Sequence, residues 1–162
     1  MHSIGIDIGT TSICAVKLNL KSGEIIECVA APNNSFIHTD KEYEKIQDCE
    51  SIYGTVINLL EPLCDKDTKA IGISNQMHGV LYTDKNARAL SPLYTWQDSR
   101  GSLEYKNNKT YAEVLGAPSG YGLVTDFYNR ENSLVPRDTE YIITIGDYIA
   151  LRLCGKTKPT MH

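Results

Sequence analysis

The first strand-like segment of this chain runs straight into an acid and a hydroxyl-rich turn: Ile4-Gly5-Ile6-Asp7-Ile8-Gly9-Thr10-Thr11-Ser12. No other feature constrains the fold as much. Ile4, Ile6 and Ile8 alternate with smaller residues, which suits a strand with one buried face. Gly9 permits a tight turn and a close approach of backbone to ligand. A second strand, Ile13 to Leu20, leaves the turn at once, so the turn joins two strands and does not open a helix. Thr10, Thr11 and Ser12 then offer amide and hydroxyl donors suited to phosphate oxygens. Asp7, at the strand end, suits a magnesium ion held through water, since that ion prefers hard oxygen ligands and keeps several waters. The same residues would also serve a hairpin that merely starts a sheet, and the segment alone leaves both readings open.

A length of 162 residues fits one domain with a sizeable core. The net charge is −4 and no basic run occurs, which argues against a nucleic-acid partner. No apolar stretch approaches membrane-spanning length. Strand sequence begins at Ser3, so no secretory signal is expected. The five cysteines are scattered, odd in number and without a C-x-x-C pair. They read as reduced thiols of a cytoplasmic protein, used as small apolar residues, and no zinc site is legible.

Residues 3–8, 12–20 and 24–30 are predicted strands, the last two joined by Lys21-Ser22-Gly23, which gives an antiparallel meander. A loop follows to Thr39. Asp40 is then placed to cap a helix with apolar positions Tyr43, Ile46, Cys49, Tyr53, Val56, Ile57, Leu60 and Leu63, weakened by Gly54 and ended by Pro62. Ala70 to Ser74 reads as a buried parallel strand. Further strands are expected at Val80–Thr83, Leu93–Trp96 and Tyr141–Thr144. Residues 100–116 read as helical pieces ending at Gly116, Ala117 to Asn132 as a ligand-handling surface loop, and Asp147 to Cys154 as a helix stopped by Gly155. The order is that of an α/β layered domain. Polar turns follow the predicted strands after Ile8, Ser74 and Trp96, and in such sheets ligand sites gather at strand ends.

Two of those turns carry candidate chemistry. In Gln76-Met77-His78-Gly79 the Gln and His side chains both donate and accept, and the glycine allows a close approach. In Trp96-Gln97-Asp98-Ser99-Arg100 the Trp face suits the apolar side of a sugar ring, and Gln, Asp and Arg suit hydroxyls. Taken singly, each has a plainer use: a core histidine, a core tryptophan and a surface Asp98–Arg100 ion pair.

Taken together and in order, these segments resemble the N-terminal part of the FGGY carbohydrate kinases. The resemblance rests on Ile6 to Ser12, on Ile71-Gly72-Ile73-Ser74-Asn75-Gln76-Met77-His78-Gly79 and on Tyr94-Thr95-Trp96-Gln97-Asp98-Ser99-Arg100. Gln-Met-His-Gly is similar to the xylulokinase and sedoheptulokinase branches. Thr95-Trp96-Gln97-Asp98, Ser119-Gly120-Tyr121-Gly122 and Asp147-Tyr148 with Leu153-Cys154-Gly155 lean toward sedoheptulokinase.

The resemblance implies the ribonuclease H-like domain of the sugar kinase, actin and Hsp70 superfamily: a three-stranded antiparallel meander extended by parallel strands, with flanking helices. It implies ATP and Mg2+ as cofactors, with phosphates at Gly9, Thr10, Thr11 and Ser12 and the metal at Asp7. It implies a small-molecule ketose held by Gln76, Met77, His78, Trp96 and Asp98, with Tyr128 as a weaker contact from the stretch Gly122 to Tyr128. Residues 1–162 would form a truncated N-terminal domain, inactive alone. The C-terminal nucleotide-binding domain would be missing, and the catalytic base would lie downstream of His162, so no catalytic residue is assigned. Two other functions fit the same motifs: a non-catalytic polyol-binding module, and an ATPase or scaffold domain of the actin and Hsp70 type. One departure concerns the phosphate strand. Cys14 stands where the family often has Lys or Arg, and Lys17 cannot substitute because it points to the other face of the strand.

Overall fold

The computed structural model describes residues 1–159, so the last three residues of the expected 1–162 domain lie outside the described residues. The chain divides into two compact units. One comprises Met1–Ser35 and Glu50–Gln76, the other Phe36–Cys49 and the residues from Met77 onward.

The first unit is built on strands β1 (His2–Ile8), β2 (Ser12–Asn19) and β3 (Ile25–Pro32), each antiparallel to the next. This is the expected meander. After β4 (Ile46–Gln47), which belongs to the second unit, helix α1 (Cys49–Leu60) leads to β5 (Thr68–Asn75). Strand β5 lies parallel to β1, giving the order β3-β2-β1-β5, but as an edge strand it is largely exposed and not the buried strand expected. A parallel neighbour requires a crossover, and α1 lies within that connection. Ile4, Ile6, Ile8, Ile13 and Ala15 are buried on one face of the sheet, and α1 buries Ile52, Val56, Leu59 and Leu60 at helical spacing.

The other face carries small residues in register, Gly5 beside Val16 and Gly72, and Asp7 beside Cys14 and Ser74. They line a shallow groove of about 440 Å³. Lys17 pairs with Ile4 in register, on the opposite face from Cys14, as expected. Its ammonium lies 2.9 Å from Asp65. That hydrogen bond, helped by the Asp67 amide, holds the Asp65 carboxyl down to about 2.

The helix expected from Asp40 begins only at Cys49. Residues before it are drawn into strand pairing: β4 pairs with β7 (Leu93–Tyr94), and Phe36 bridges Gln47. The three- and four-residue spacing of Tyr43, Ile46 and Cys49 therefore does not mark a helix face. Pro62 and its neighbours form the turn after α1, as read from the sequence.

The second unit adds β6 (Leu81–Thr83), a 3₁₀ turn at Arg100–Ser102, β8 (Glu104–Lys106), β9 (Lys109–Thr110), α2 (Tyr111–Leu115), α3 (Gly122–Glu131), β10 (Tyr141–Ile143) and α4 (Ile145–Cys154). Strands β6 and β10 pair antiparallel, as do β8 and β9. Ile46, Tyr82 and Tyr94 form a buried cluster that Val135 covers. Thr144 caps α4 in a reciprocal box with Asp147.

Three expectations fail in this unit. The helical pieces of 100–116 are interrupted by the β8–β9 hairpin, which turns on Asn107 and Asn108, both left-handed. The loop expected over 117–132 contains α3, whose buried positions include Thr125 and Asn129, so no apolar stripe announces it. The strand at Leu93–Trp96 stops at Tyr94. No helix among the described residues is long and apolar enough to cross a membrane.

Candidate functional site

In the first unit the turn from Asp7 to Ser12 joins β1 and β2 directly, as its sequence predicts. The Gly9 amide donates to the Ser12 carbonyl at 2.9 Å, so the turn is tight. A Cβ on Gly9 would sit 2.8 Å from that carbonyl oxygen, which excludes a side chain there. Two further carbonyls are held from behind by Asn33, a buried residue whose role sequence reasoning missed. Its Nδ2 donates to the Gly9 carbonyl, and its own amide donates to that of Thr11, both at 2.9 Å. Ser35 Oγ in turn donates to Asn33 Oδ1 at 2.6 Å. The only signal was the run Pro32-Asn33-Asn34-Ser35, which reads as an ordinary loop.

Gln76 also belongs to this turn. It is buried, its amide donates to the Ile8 carbonyl at 2.8 Å, and its Oε1 accepts from Thr10 Oγ1 at 3.1 Å. The structure therefore ties Gln76 to Thr10. Asp7 is exposed and its Oδ1 accepts from Ser74 Oγ at 2.8 Å.

These residues fit phosphates and a hydrated cation. The carbonyl oxygens of Gly9, Thr11 and Ser12, which would repel an anion, all accept from within the chain. Thr11 and Ser12 are exposed, with their donors. Among the described residues no group of three or more His, Cys, Asp and Glu is placed to hold a metal. A lone carboxylate suits an ion that is held mainly by waters and phosphate oxygens.

In the second unit one loop packs against both the His78 and the Trp96 segments. His78 is exposed and left-handed, with φ 62°. For a residue with a Cβ that conformation costs on the order of 1 kcal/mol. Outliers of this kind cluster at functional sites. The turn is closed by the Gly79 amide, which donates to the Met77 carbonyl at 2.8 Å, and the Met77 side chain is exposed. Trp96 is 46% exposed, so it is not a core residue. Two glycines of Ser119-Gly120-Tyr121-Gly122 hold the loop against both. A Cβ on Gly120 would collide with the Trp96 carbonyl, and one on Gly122 would lie 3.0 Å from the His78 carbonyl. Between them the Tyr121 ring stacks on the His78 imidazole, with centroids 3.9 Å apart and planes 17° from parallel.

Asp98 departs from its expected exposure. It is 1% exposed. Its Oδ1 accepts from Arg100 Nε at 2.7 Å, and its Oδ2 from Arg100 Nη2 at 3.0 Å and the Lys45 amide at 3.1 Å. The Asp98–Arg100 pair is thus buried, neither a surface ion pair nor a carboxylate presented to solvent. Arg100 also donates to Asn129 at 2.6 Å and Glu44 at 3.2 Å, and it stacks over Tyr94 at 4.2 Å. Burial lowers the Arg100 pKa, but the hydrogen bonds and charge of Asp98 outweigh it and hold it above its ordinary value. Tyr128 is half-buried in an aromatic cluster with Tyr43 and Tyr111, 5.5 Å from the Arg100 guanidinium. Burial raises its phenol pKa.

Residues 2–160 match the N-terminal domain of the FGGY family of carbohydrate kinases. The chain belongs to that family. This FGGY chain is 28% identical to mouse sedoheptulokinase over 189 residues, covering 98% of the chain and 39% of the relative. It is 32% identical to Staphylococcus xylosus xylulose kinase over 112 residues, covering 67% of the chain and 23% of the relative. The fold is that of a ligand-bound xylulose kinase from Lactobacillus acidophilus, with a TM-score of 0.79 at 21% identity, covering 96% of the chain and 34% of that structure. The α/β fold with its mixed sheet is therefore that of the sugar kinases, as the sequence led us to expect. The chain spans about two fifths or less of the length of these relatives.

Proposed function

We propose that this chain is the sugar-binding and phosphate-cradling N-terminal domain of an ATP-dependent carbohydrate kinase acting on a small ketose of the sedoheptulose or xylulose type. The observation that carries the proposal is the family match over nearly the whole chain. It is supported by the exposed His78 and Trp96 gathered at one loop. An exposed indole and an exposed imidazole on segments packed by one loop favour a sugar kinase over an ATPase scaffold.

Trp96 covers the apolar side of the ketose, the His78 ring nitrogens bond its hydroxyls, and Met77 flanks it. Tyr128 contributes from the aromatic cluster. Asp98 serves the site through Arg100, which it holds over the Tyr128 ring. Gln76 takes the phosphate side through Thr10. Thr10, Thr11 and Ser12 would donate to phosphate oxygens around the turn that Gly9 makes possible, and Asp7 would hold a hydrated magnesium ion. ATP with its metal supplies the phosphoryl group and neutralises the charge that develops in transfer, which is otherwise a matter of positioning. Residues 1–162 form one domain of the enzyme, which works in the cytoplasm. The base and the adenosine site belong to other parts of the full protein.

Titration of the chain with D-xylulose and with sedoheptulose, followed by NMR, tests the sugar site. Shifts are expected at the His78 ring and the Trp96 indole, with a dissociation constant of about 1 mM, or about −4 kcal/mol. His78→Ala and Trp96→Ala should each abolish binding. Unchanged binding in both variants, with native circular dichroism, would place the substrate elsewhere.

A further inference from the structure

We infer that Tyr121 is a positioning residue for the sugar site, holding the His78 imidazole at the angle from which it meets a ketose hydroxyl. This rests on the sugar-site proposal above. Three observations point to it. The two rings are stacked nearly parallel at 3.9 Å. Stacking engages the faces of an imidazole and leaves both nitrogens at its rim, where hydroxyls can be bonded in the plane of the ring. His78 itself is exposed on a left-handed backbone, so the main chain and solvent alone would leave its side chain several rotamers. The Tyr121 main chain, by contrast, is tightly packed. Gly120 approaches the Trp96 carbonyl too closely for any Cβ, and Gly122 packs against the Val80 side chain and the His78 carbonyl. The loop is thus a closely packed mount, and the ring it carries lies against His78.

The arrangement also links the two sides of the site. The same three residues reach the Trp96 main chain through Gly120 and His78 through Tyr121 and Gly122, so one loop holds the backbone of both segments. Tyr121 is 38% exposed, which leaves its rim open to a ketose bound at His78.

The test compares Tyr121→Phe, which keeps a ring, with Tyr121→Leu, which removes it. Tyr121→Met serves the same end if Leu disturbs the fold, and methyl spectra and melting temperature report on folding. The first measurement needs no sugar. In the native chain and in Tyr121→Phe the His78 ring protons should be shifted upfield by the stacked ring, and Tyr121→Leu should lose that shift. The second measurement is titration with D-xylulose and sedoheptulose. Tyr121→Phe should bind within about twofold of native, and Tyr121→Leu about three- to tenfold more weakly, the range expected for an aromatic pair. Native His78 shifts in Tyr121→Leu, or native ketose affinity in it, would overturn the positioning role while leaving the sugar site intact. Absence of any ketose-induced shift at His78 and Trp96 in the native chain would instead overturn the sugar site, and the role of Tyr121 in it, whatever the sugar-free spectra show.

Discussion

Arg100 is the largest fully buried side chain in the described structure, and its surroundings show how a charge is kept inside. A guanidinium has five donors in a fixed fork. Here Asp98 takes the fork with both oxygens, Asn129 and Glu44 take further donors, and Tyr94 covers a face. Removing one member leaves a buried charge without its partner. Arg100→Ala should therefore cost about 3–5 kcal/mol of stability, measured by urea unfolding. Arg100→Lys should recover little of it, because an ammonium cannot make the paired bonds to Asp98. A loss below about 1 kcal/mol in Arg100→Ala would show that the network is dispensable. Only the two-residue spacing of Asp98 and Arg100 was legible in the sequence. Asn129 and Glu44 come from 29 and 56 positions away, and nothing local marks them as partners. The same limit hid Asn33, which looks like any loop asparagine until the turn 24 residues earlier is folded against it.

At the level of elements, strands were easier to read than helices. β1, β2, β3 and β5 carry strong apolar runs bounded by turn residues, and the sheet they form follows from those signals. α3 was invisible because half of its inward face is polar: Thr125 and Asn129 are buried beside Val124. The helix expected from Asp40 failed for the opposite reason, since apolar residues with helical spacing were claimed by strand pairing at Ile46–Gln47. Two glycines separate these influences experimentally. Gly122 opens α3 where a Cβ would press on Val80 and the His78 carbonyl, so Gly122→Ala should destabilise by about 1–3 kcal/mol through overpacking. Gly54 lies inside α1, with nothing within 4 Å of an added Cβ. Gly54→Ala should stabilise by about 0.5–1 kcal/mol, because alanine loses less backbone entropy in a helix. Melting temperatures of the two variants should move in opposite directions, and a Gly122→Ala chain as stable as the native one would contradict the packing argument for the loop.

For the whole molecule, the family was legible from motif order, because phosphate turns and sugar-binding turns require particular residues at fixed places. What the motifs could not convey is how each turn is braced, since the braces are single residues from distant segments. The chain spans about two fifths or less of its relatives, and none of its residues is assigned as a base. In a coupled assay with ATP and D-xylulose or sedoheptulose, the 162-residue chain should stay far below the about 1–100 per second typical of kinases. Turnover in that range would mean that the transfer machinery lies within these residues. The bracing by Asn33 also bears on the timing of any anion binding at the turn. With the peptide planes of Gly9 and Thr11 fastened during folding, the loss of conformational entropy falls on the folding step and not on the encounter. On the proposed function, an arriving phosphate would meet a finished template, with no loop to set in order first.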